Sequence, residues 1–401
     1  MILTALCAFV ISAMKRLLLV HYGEIGLKKG NAPYFIAKLR DRIKIKLEKK
    51  FRLTFDVHHS LRRFLIELPE DFVEAEYSLI LKKIFGIKSY KFVYEGDFDI
   101  AELGRQIWDN LPQSEAENFR VKVKRSMLLE CSSIEAEREL GAILLRSGLD
   151  LKVKLKGADL VIDVEFLNGH GYFSYHTYPG TGGLSANSQG KLISLISAGI
   201  DSPVASYQMM KRGARVIFAH FHGYPYTGRD EMEQVKELVE ILSDFQFDTK
   251  LYMLPLGQVQ KAISLVAEIP DKIRTVLYRR MMLRIAQEIS RLEKANGLIT
   301  GDCFGQVASQ TPENMFAIDN AVHVPVFRPL IAYDKEDIIE VSEKIGTFGI
   351  SKLPCKESCT MFAPEHPELR ATVYDVERYE KLFDVDMWVK KVLTEAEIIT
   401  F

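Results

Sequence analysis

Cysteine is scarce in this sequence. Its 401 residues include five, at positions Cys7, Cys131, Cys303, Cys355 and Cys359. An odd, sparse count in a large chain argues for a reducing compartment, so the expected location is cytoplasmic. Long apolar runs are also missing: a bilayer span needs about 20 such residues, and no stretch supplies them, so no membrane partner is expected. The chain lacks a charge excess of either sign, its formal net charge being −1. Whole-chain charge therefore says nothing about nucleic acid, and only its distribution can. There is no internal repeat and no low-complexity segment. Residues 1–13 (MILTALCAFVISA) are apolar but carry no basic leader, and a folded pattern begins directly behind them. They read as a non-native N-terminal extension from an upstream start codon, not as a signal peptide.

The composition that remains is that of a globular protein, 47% hydrophobic and 27% charged, long enough for two or three domains. Residues 15–70 hold 14 Lys and Arg against 6 Asp and Glu. A basic first lobe on an acidic remainder suits a polyanionic partner, although a solvated helix face accounts for the same charges. Periodicity predicts strand over 17–21, helix over 31–50, strands over 51–58 and 63–68, helix over 70–85 and strand over 89–94. That β-α-β-β-α-β order indicates a ferredoxin-like layer. Further on, Phe119-Arg120-Val121-Lys122-Val123-Lys124-Arg125 alternates apolar with basic residues. One face of that strand is expected to be buried, and the other to carry Arg120, Lys122 and Lys124. Ser132 with Glu135 opens a helix as a capping box. A breaker-rich linker, Tyr178-Pro179-Gly180-Thr181-Gly182-Gly183, closes this half.

The chain is organised around KLISLISAGIDSPVASYQMMKRG, residues 191–213. A short apolar strand runs into Ser197-Ala198-Gly199-Ile200-Asp201-Ser202. A helix follows, with Ser202 or Asp201 as its expected cap, Pro203 at its first position and Gly213 as its stop. A strand, a turn of small residues and a helix N-terminus make an anion cradle, since unpaired N–H groups and the positive end of the helix dipole converge there. The turn holds no GxxxxGK[ST] pattern and no lysine. Beyond Gly213 strands alternate with helices, which means a parallel sheet covered on both faces, with ligands at the carboxyl ends of its strands. One helix is expected over 306–319. Three further stretches gather chemistry: His220-Phe221-His222; Arg279, Arg280 and Arg284 on one long helix, where Arg280 and Arg284 share a face suited to pyrophosphate charge; and Gly301-Asp302-Cys303 before Gln306 and Gln310. Near the end Cys355 and Cys359 flank Lys356, which favours thiolate and reactive sulfur.

The pattern Ser-x-Gly-x-Asp-Ser resembles the PP-loop of ATP pyrophosphatases, with Ala198 where glycine is usual. Together with TGDCFGQVASQT, RPLIAYDKEDII and the IGT before the cysteine loop, it resembles the tRNA 4-thiouridine synthetase family, the tRNA sulfurtransferases, over residues 14 to 375. The resemblance implies a ferredoxin-like lobe at 14–76, a THUMP RNA-binding domain at 77–183 and a Rossmann-like PP-loop ATP pyrophosphatase domain with a parallel sheet at 184–401. It also implies ATP and Mg²⁺, tRNA, a cysteine desulfurase or other sulfur donor, a homodimer, and a link to thiamine biosynthesis. The implied catalytic residues are Asp201, Lys335 and Cys359, with Cys355 assisting. The implied ATP contacts are Leu195, Ile196, Ser197, Gly199, Ser202, His220, Phe221, Arg279, Gly301 and Gln310. The implied reaction is adenylation of O4 of the uridine at position eight, followed by attack of persulfide or sulfide on C4.

Two departures bear on sulfur delivery. Some members end in a rhodanese domain, which this chain, stopping at Phe401, does not show. Some carry a CxxC before the basic pair that holds an iron–sulfur cluster; here those positions are Thr275 and Tyr278. A cluster on Cys303, Cys355 and Cys359 is the lesser reading, and persulfide or disulfide chemistry at Cys359 the greater. Two rival functions are an adenylating ligase acting on a small molecule and an RNA-binding module with a dead ATP site. The basic first half weighs against the former, and Asp201, Lys335 and Cys359 weigh against the latter.

Overall fold

The computed structural model describes residues 14–125, 129–354, 362 and 364–401. The chain divides into two compact units between Gly183 and Leu184. Cys7, Cys355, Cys359 and the 1–13 extension lie outside the described residues.

The first unit is built on β1 (Arg16–Tyr22), α1 (Ala32–Phe51), β2 (Val57–Ser60), β3 (Arg63–Glu67), α2 (Glu74–Leu81) and β4 (Ile87–Gly96). It continues through α3 (Ile100–Asp109), β5 (Asn118–Arg125), α4 (Ser133–Arg146), β6 (Lys152–Val153), β7 (Leu160–Leu167), β8 (His170–Ser174) and β9 (Tyr178–Pro179). One nine-stranded sheet runs β2-β3-β1-β4-β8-β7-β5-β6, with β9 also on β4. The first four strands have the ferredoxin-like β-α-β-β-α-β order. On α1, Phe35, Leu39, Ile43 and Leu47 are buried at a spacing of four, which aligns them along one helix face. The basic residues Arg40, Lys49 and Lys50 stay exposed. The predicted strand over 51–58 shrinks to β2, because α1 runs through Phe51 before Arg52 turns left-handed at φ 58°. The strand β4 serves both halves, pairing β1 along Ile87–Tyr94 and β8 along Tyr94–Gly96. A buried ionic network ties the halves together. Glu165 on β7 accepts from Arg63 on β3 at 2.6 Å, from Lys91 on β4 at 2.8 Å and from Lys124 on β5 at 3.3 Å.

In the second unit a six-stranded sheet is ordered β14-β13-β10-β11-β12-β15. Its elements are β10 (Lys191–Leu195), α5 (Asp201–Lys211), β11 (Arg215–His222), α6 (Asp230–Ser243), β12 (Lys250–Pro255), α7 (Gly257–Ser264), α8 (Arg274–Glu293) and β13 (Leu298–Ile299). Then come α9 (Pro312–Asp319), β14 (Val326–Phe327), α10 (Lys335–Ile345), α11 (Phe348–Ser351), α12 (Val373–Glu380), α13 (Val385–Thr394) and β15 (Glu397–Thr400). Neighbouring strands are parallel except β15, which closes the β12 edge antiparallel. The chain leaves β10 toward β11 and β12 and returns on its other side with β13 and β14. That reversal opens a crevice at the carboxyl ends of the strands.

Two local expectations are corrected. The helix over 306–319 is split into a 3₁₀ turn at Ala308–Gln310 and α9 from Pro312. Proline cannot continue a helix from the residues before it, so Thr311 is extended and caps α9 by accepting from the Asn314 amide. Arg280 and Arg284 face the core, not the crevice. Arg280 is 1% exposed and makes a two-pronged pair with Glu380 of α12, both contacts 2.8 Å, besides donating to the Ala317 carbonyl. Arg284 joins the same carboxylate at 2.9 Å.

Glu380→Ala therefore leaves a buried guanidinium without its counter-charge. The expected loss is about 3–5 kcal/mol of stability, read by denaturant unfolding of the variant against the parent. A loss under about 1 kcal/mol would place this pair with ordinary surface pairs.

Candidate active site

The ends of β10, β11 and β13 and the start of α8 surround one cavity of about 380 Å³. Its walls include Leu195, Ile196, Ser197, Gly199, Asp201, Ser202, His220, Phe221, Arg279, Gly301 and Gln310. Every position expected to touch the nucleotide is thus on one wall or another of one space. The apolar part of the lining includes Tyr278, Met282, Leu283 and Ile318 from α8 and α9. The polar part includes Thr300, Asp302, Ser309 and Arg328.

The turn after β10 is held differently from expectation. Helix α5 starts at Asp201, and no side chain caps it. Ser202 Oγ instead accepts from the Ser197 amide at 2.8 Å and donates to the Ser197 carbonyl at 3.2 Å. The hydroxyl closes the turn and leaves the first amides of α5 without a side-chain acceptor, which suits an incoming phosphate. Pro203 sits within the first helical turn, where its missing N–H costs no helical bond. Gly301 lies against this turn: a Cβ there would be 2.8 Å from the Ser202 amide nitrogen and 2.9 Å from its Cα. Only a glycine lets the loop after β13 come so close.

Charges in the cavity are paired across elements. Lys335, the first residue of α10, meets Asp201 at 2.5 Å, so two residues 134 apart in sequence share one site. Arg279 donates to Asp302 at 2.8 Å and to Ser309 at 3.0 Å. Arg328 reaches Asp302 at 3.2 Å and Asp319 at 2.7 and 2.8 Å. Asp302 is 4% exposed. Burial alone would raise its pKa. Arg279, the Thr300 hydroxyl and Arg328 outweigh burial and bring it to about 2. Asp302 and Arg328 stand within the stretches TGDCFGQVASQT and RPLIAYDKEDII, whose sequence alone assigns neither a role. A carboxylate immediately after two residues of loop carries no periodic signal, and its partners come from α8 and from the segment after β14.

His220 is buried, and its Nδ1 donates to the Ile196 carbonyl at 3.0 Å. Burial pushes it, and His222 beside it, down to about 4, so both rings are neutral at physiological pH. Cys303 is buried as well. Burial first and the Asp201 carboxylate second raise its pKa, which keeps it a thiol. In the first unit Arg120 donates to the Leu155 carbonyl, Lys124 reaches Glu165, and Lys122 is exposed. Among the described residues no group of three His, Cys, Asp or Glu side chains is arranged to hold a metal. No helix among them is long and apolar enough to cross a membrane.

Residues 187–385 match the model of the thiamine biosynthesis protein (ThiI) family. Residues 17–90 match the ThiI ferredoxin-like domain and residues 99–175 the THUMP domain. A Thermus thermophilus protein named probable tRNA sulfurtransferase is 37% identical over 390 residues, covering 97% of this chain and 95% of that one. The chain belongs to the tRNA sulfurtransferase family. A second family member, from Moorella thermoacetica, is 37% identical over 96% of this chain and 97% of its own. The crystal structure of a 4-thiouridine synthetase–RNA complex with bound ATP superposes with a TM-score of 0.84 at 30% identity, covering 96% of this chain and all of that one. A structure from Pyrococcus horikoshii Ot3 shares the fold at a TM-score of 0.62 and 23% identity, covering 82% of this chain and 99% of that one. The chain thus has the expected domain types, ferredoxin-like, THUMP and PP-loop, in the expected order.

The neutral histidines give a pH prediction. An unfolded histidine binds a proton near pH 6.5, whereas folded His220 binds one only near 4. The unfolded state therefore holds more protons between these values, and stability falls as pH drops through that window. Melting temperature should decline from about pH 7 to about pH 5, and His220→Asn should shrink that decline. An unchanged decline in the variant would show that His220 does not contribute.

Proposed function

We propose that the chain uses ATP to convert the uridine at position eight of tRNA to 4-thiouridine. The observation that carries this reading is that one cavity at the carboxyl ends of β10, β11 and β13 brings together the PP-loop turn, Asp201 with its partner Lys335, and every expected nucleotide contact. Two features of the cavity fit a triphosphate: the uncapped amides of α5, and the close approach of Gly301 to the turn. Asp201 would be the protein donor for Mg²⁺. One carboxylate fits an ion that takes most of its ligands from phosphate oxygens and water. When bound, that ion would neutralise charge on the leaving pyrophosphate.

The chain's own residues have defined tasks. Leu195, Ile196 and Gly301 offer backbone, while His220 and Phe221 wall the cavity at the end of β11. Arg279, held by Asp302 and Ser309, meets charge that develops as the α–β bond breaks. Lys335 sits where it can pass from Asp201 to a phosphate oxygen. Uridine O4 attacks the α-phosphate and pyrophosphate leaves. The terminal sulfur of a persulfide on Cys359 then attacks C4, and AMP departs with the former O4. Cys355 attacks the Cys359 sulfur, which frees 4-thiouridine and leaves a Cys355–Cys359 disulfide for an external thiol to reduce. The persulfide comes from a cysteine desulfurase or another donor. A cluster at Cys303, Cys355 and Cys359 is the weaker alternative, because the CxxC positions that hold a cluster in some family members are Thr275 and Tyr278 here. Arg120, Lys122 and Lys124 belong to an RNA-gripping surface of the first unit. Dimerisation, a cytoplasmic location and a role in supplying sulfur for thiamine are part of the same proposal.

Pyrophosphate release that depends on added tRNA is the direct test, since a small-molecule ligase would not need RNA and a dead ATP site would release none. Asp201→Asn should abolish it. Cys359→Ser should retain it while forming no 4-thiouridine, and full thiolation by that variant would contradict the sulfur assignment. Asp302→Asn should raise KM for ATP by about tenfold, the effect of weakening one charge-assisted hydrogen bond, and leave KM for tRNA unchanged. An unchanged KM for ATP would separate Asp302 from the nucleotide.

A further inference from the structure

The loop from β13 to the 3₁₀ turn at Ala308–Gln310 does two things. On one side Gly301, Asp302, Gln306 and Val307 line the cavity. Gly301 packs against the backbone of Asp201 and Ser202, which places this part of the loop beside the Asp201–Lys335 pair. It also presents Phe304, which is 62% exposed. Its position is fixed from both directions: its amide donates to the Ile331 carbonyl at 3.1 Å, and the Gly305 amide donates to the Gln310 carbonyl at 3.0 Å. Gly305 makes the tight turn between them at φ 71°. Val307, Ile331 and Tyr333 are also exposed, and the last two precede Lys335 by four and two residues. Single exposed apolar residues are ordinary, but these lie on two segments that the Phe304–Ile331 bond joins, and Val307 among them lines the cavity.

We infer that Phe304 is the stacking platform for the nucleobase that reacts, an inference that rests on the RNA-modifying reading above. For its carbonyl oxygen to reach the α-phosphate, that base must leave the stack of the RNA, which costs a few kcal/mol. An aromatic face at the cavity mouth returns part of that cost and holds the ring edge-on to the nucleotide. A nucleobase, apolar on its face and polar at its edge, fits an exposed aromatic ring on a loop whose other residues line the cavity. A second copy of this chain would need a larger apolar area than this rim offers.

The test compares Phe304→Ala, Phe304→Leu and Phe304→Trp in the full chain, after the parent has been shown to thiolate tRNA. The expected result is a fall in kcat/KM for tRNA on the order of tenfold to a hundredfold for alanine. Leucine should fall with alanine and tryptophan should stay near the parent, with Kd for ATP and molecular mass unchanged throughout. Leucine at the parent's rate would overturn the proposal, since any apolar group would then serve. So would a change in ATP affinity, or loss of a dimer in the alanine variant, which would assign Phe304 to the nucleotide or to a second copy. A parent chain that does not thiolate tRNA overturns the functional reading itself, an outcome the variants cannot mimic.

Discussion

The second unit depends on the bond from the Ser197 amide to Ser202 Oγ, 2.8 Å long. Without it the turn after β10 would have to be closed by a helix cap, and a capping oxygen would occupy the amides an anion needs. By closing the turn from below, Ser202 leaves the start of α5 open and sets Asp201 at its edge. The approach of Gly301, the reach of Lys335 and the position of Cys303 all follow from where that turn lies.

Around it, the cations of the cavity are held by carboxylates from distant segments: Lys335 by Asp201, Arg279 by Asp302, and Arg328 by Asp302 and Asp319. Such pairs hold long side chains in one geometry before any substrate arrives, which lowers the ordering needed on binding. They also set a condition on the ligand: to gain from these guanidinium and ammonium groups it must offer more negative charge than the carboxylates it competes with. A polyphosphate does.

Much of this was legible beforehand. The strand–turn–helix corner is a local feature, written in consecutive residues, whereas Lys335, 134 positions away, was singled out only by the family resemblance. The limits are as physical as the successes. Spacing shows that Arg280 and Arg284 share a helix face, but not that the face meets Glu380, whose helix α12 arrives nearly a hundred residues later. Arg279, one residue away, took the cavity instead. The elements α7, α11, α12, α13 and β15 had no forecast, because segments of four to ten residues carry too few apolar repeats to stand out. The role of Asp302 depends on tertiary partners alone.

The central claim is that ATP activates the nucleobase oxygen in this cavity. The most direct measurement follows the oxygen itself, in tRNA carrying ¹⁸O at O4 of the uridine at position eight. If that oxygen attacks the α-phosphate and sulfur later displaces AMP, the AMP formed alongside 4-thiouridine carries the label. Thiolated tRNA with unlabelled AMP would contradict the account.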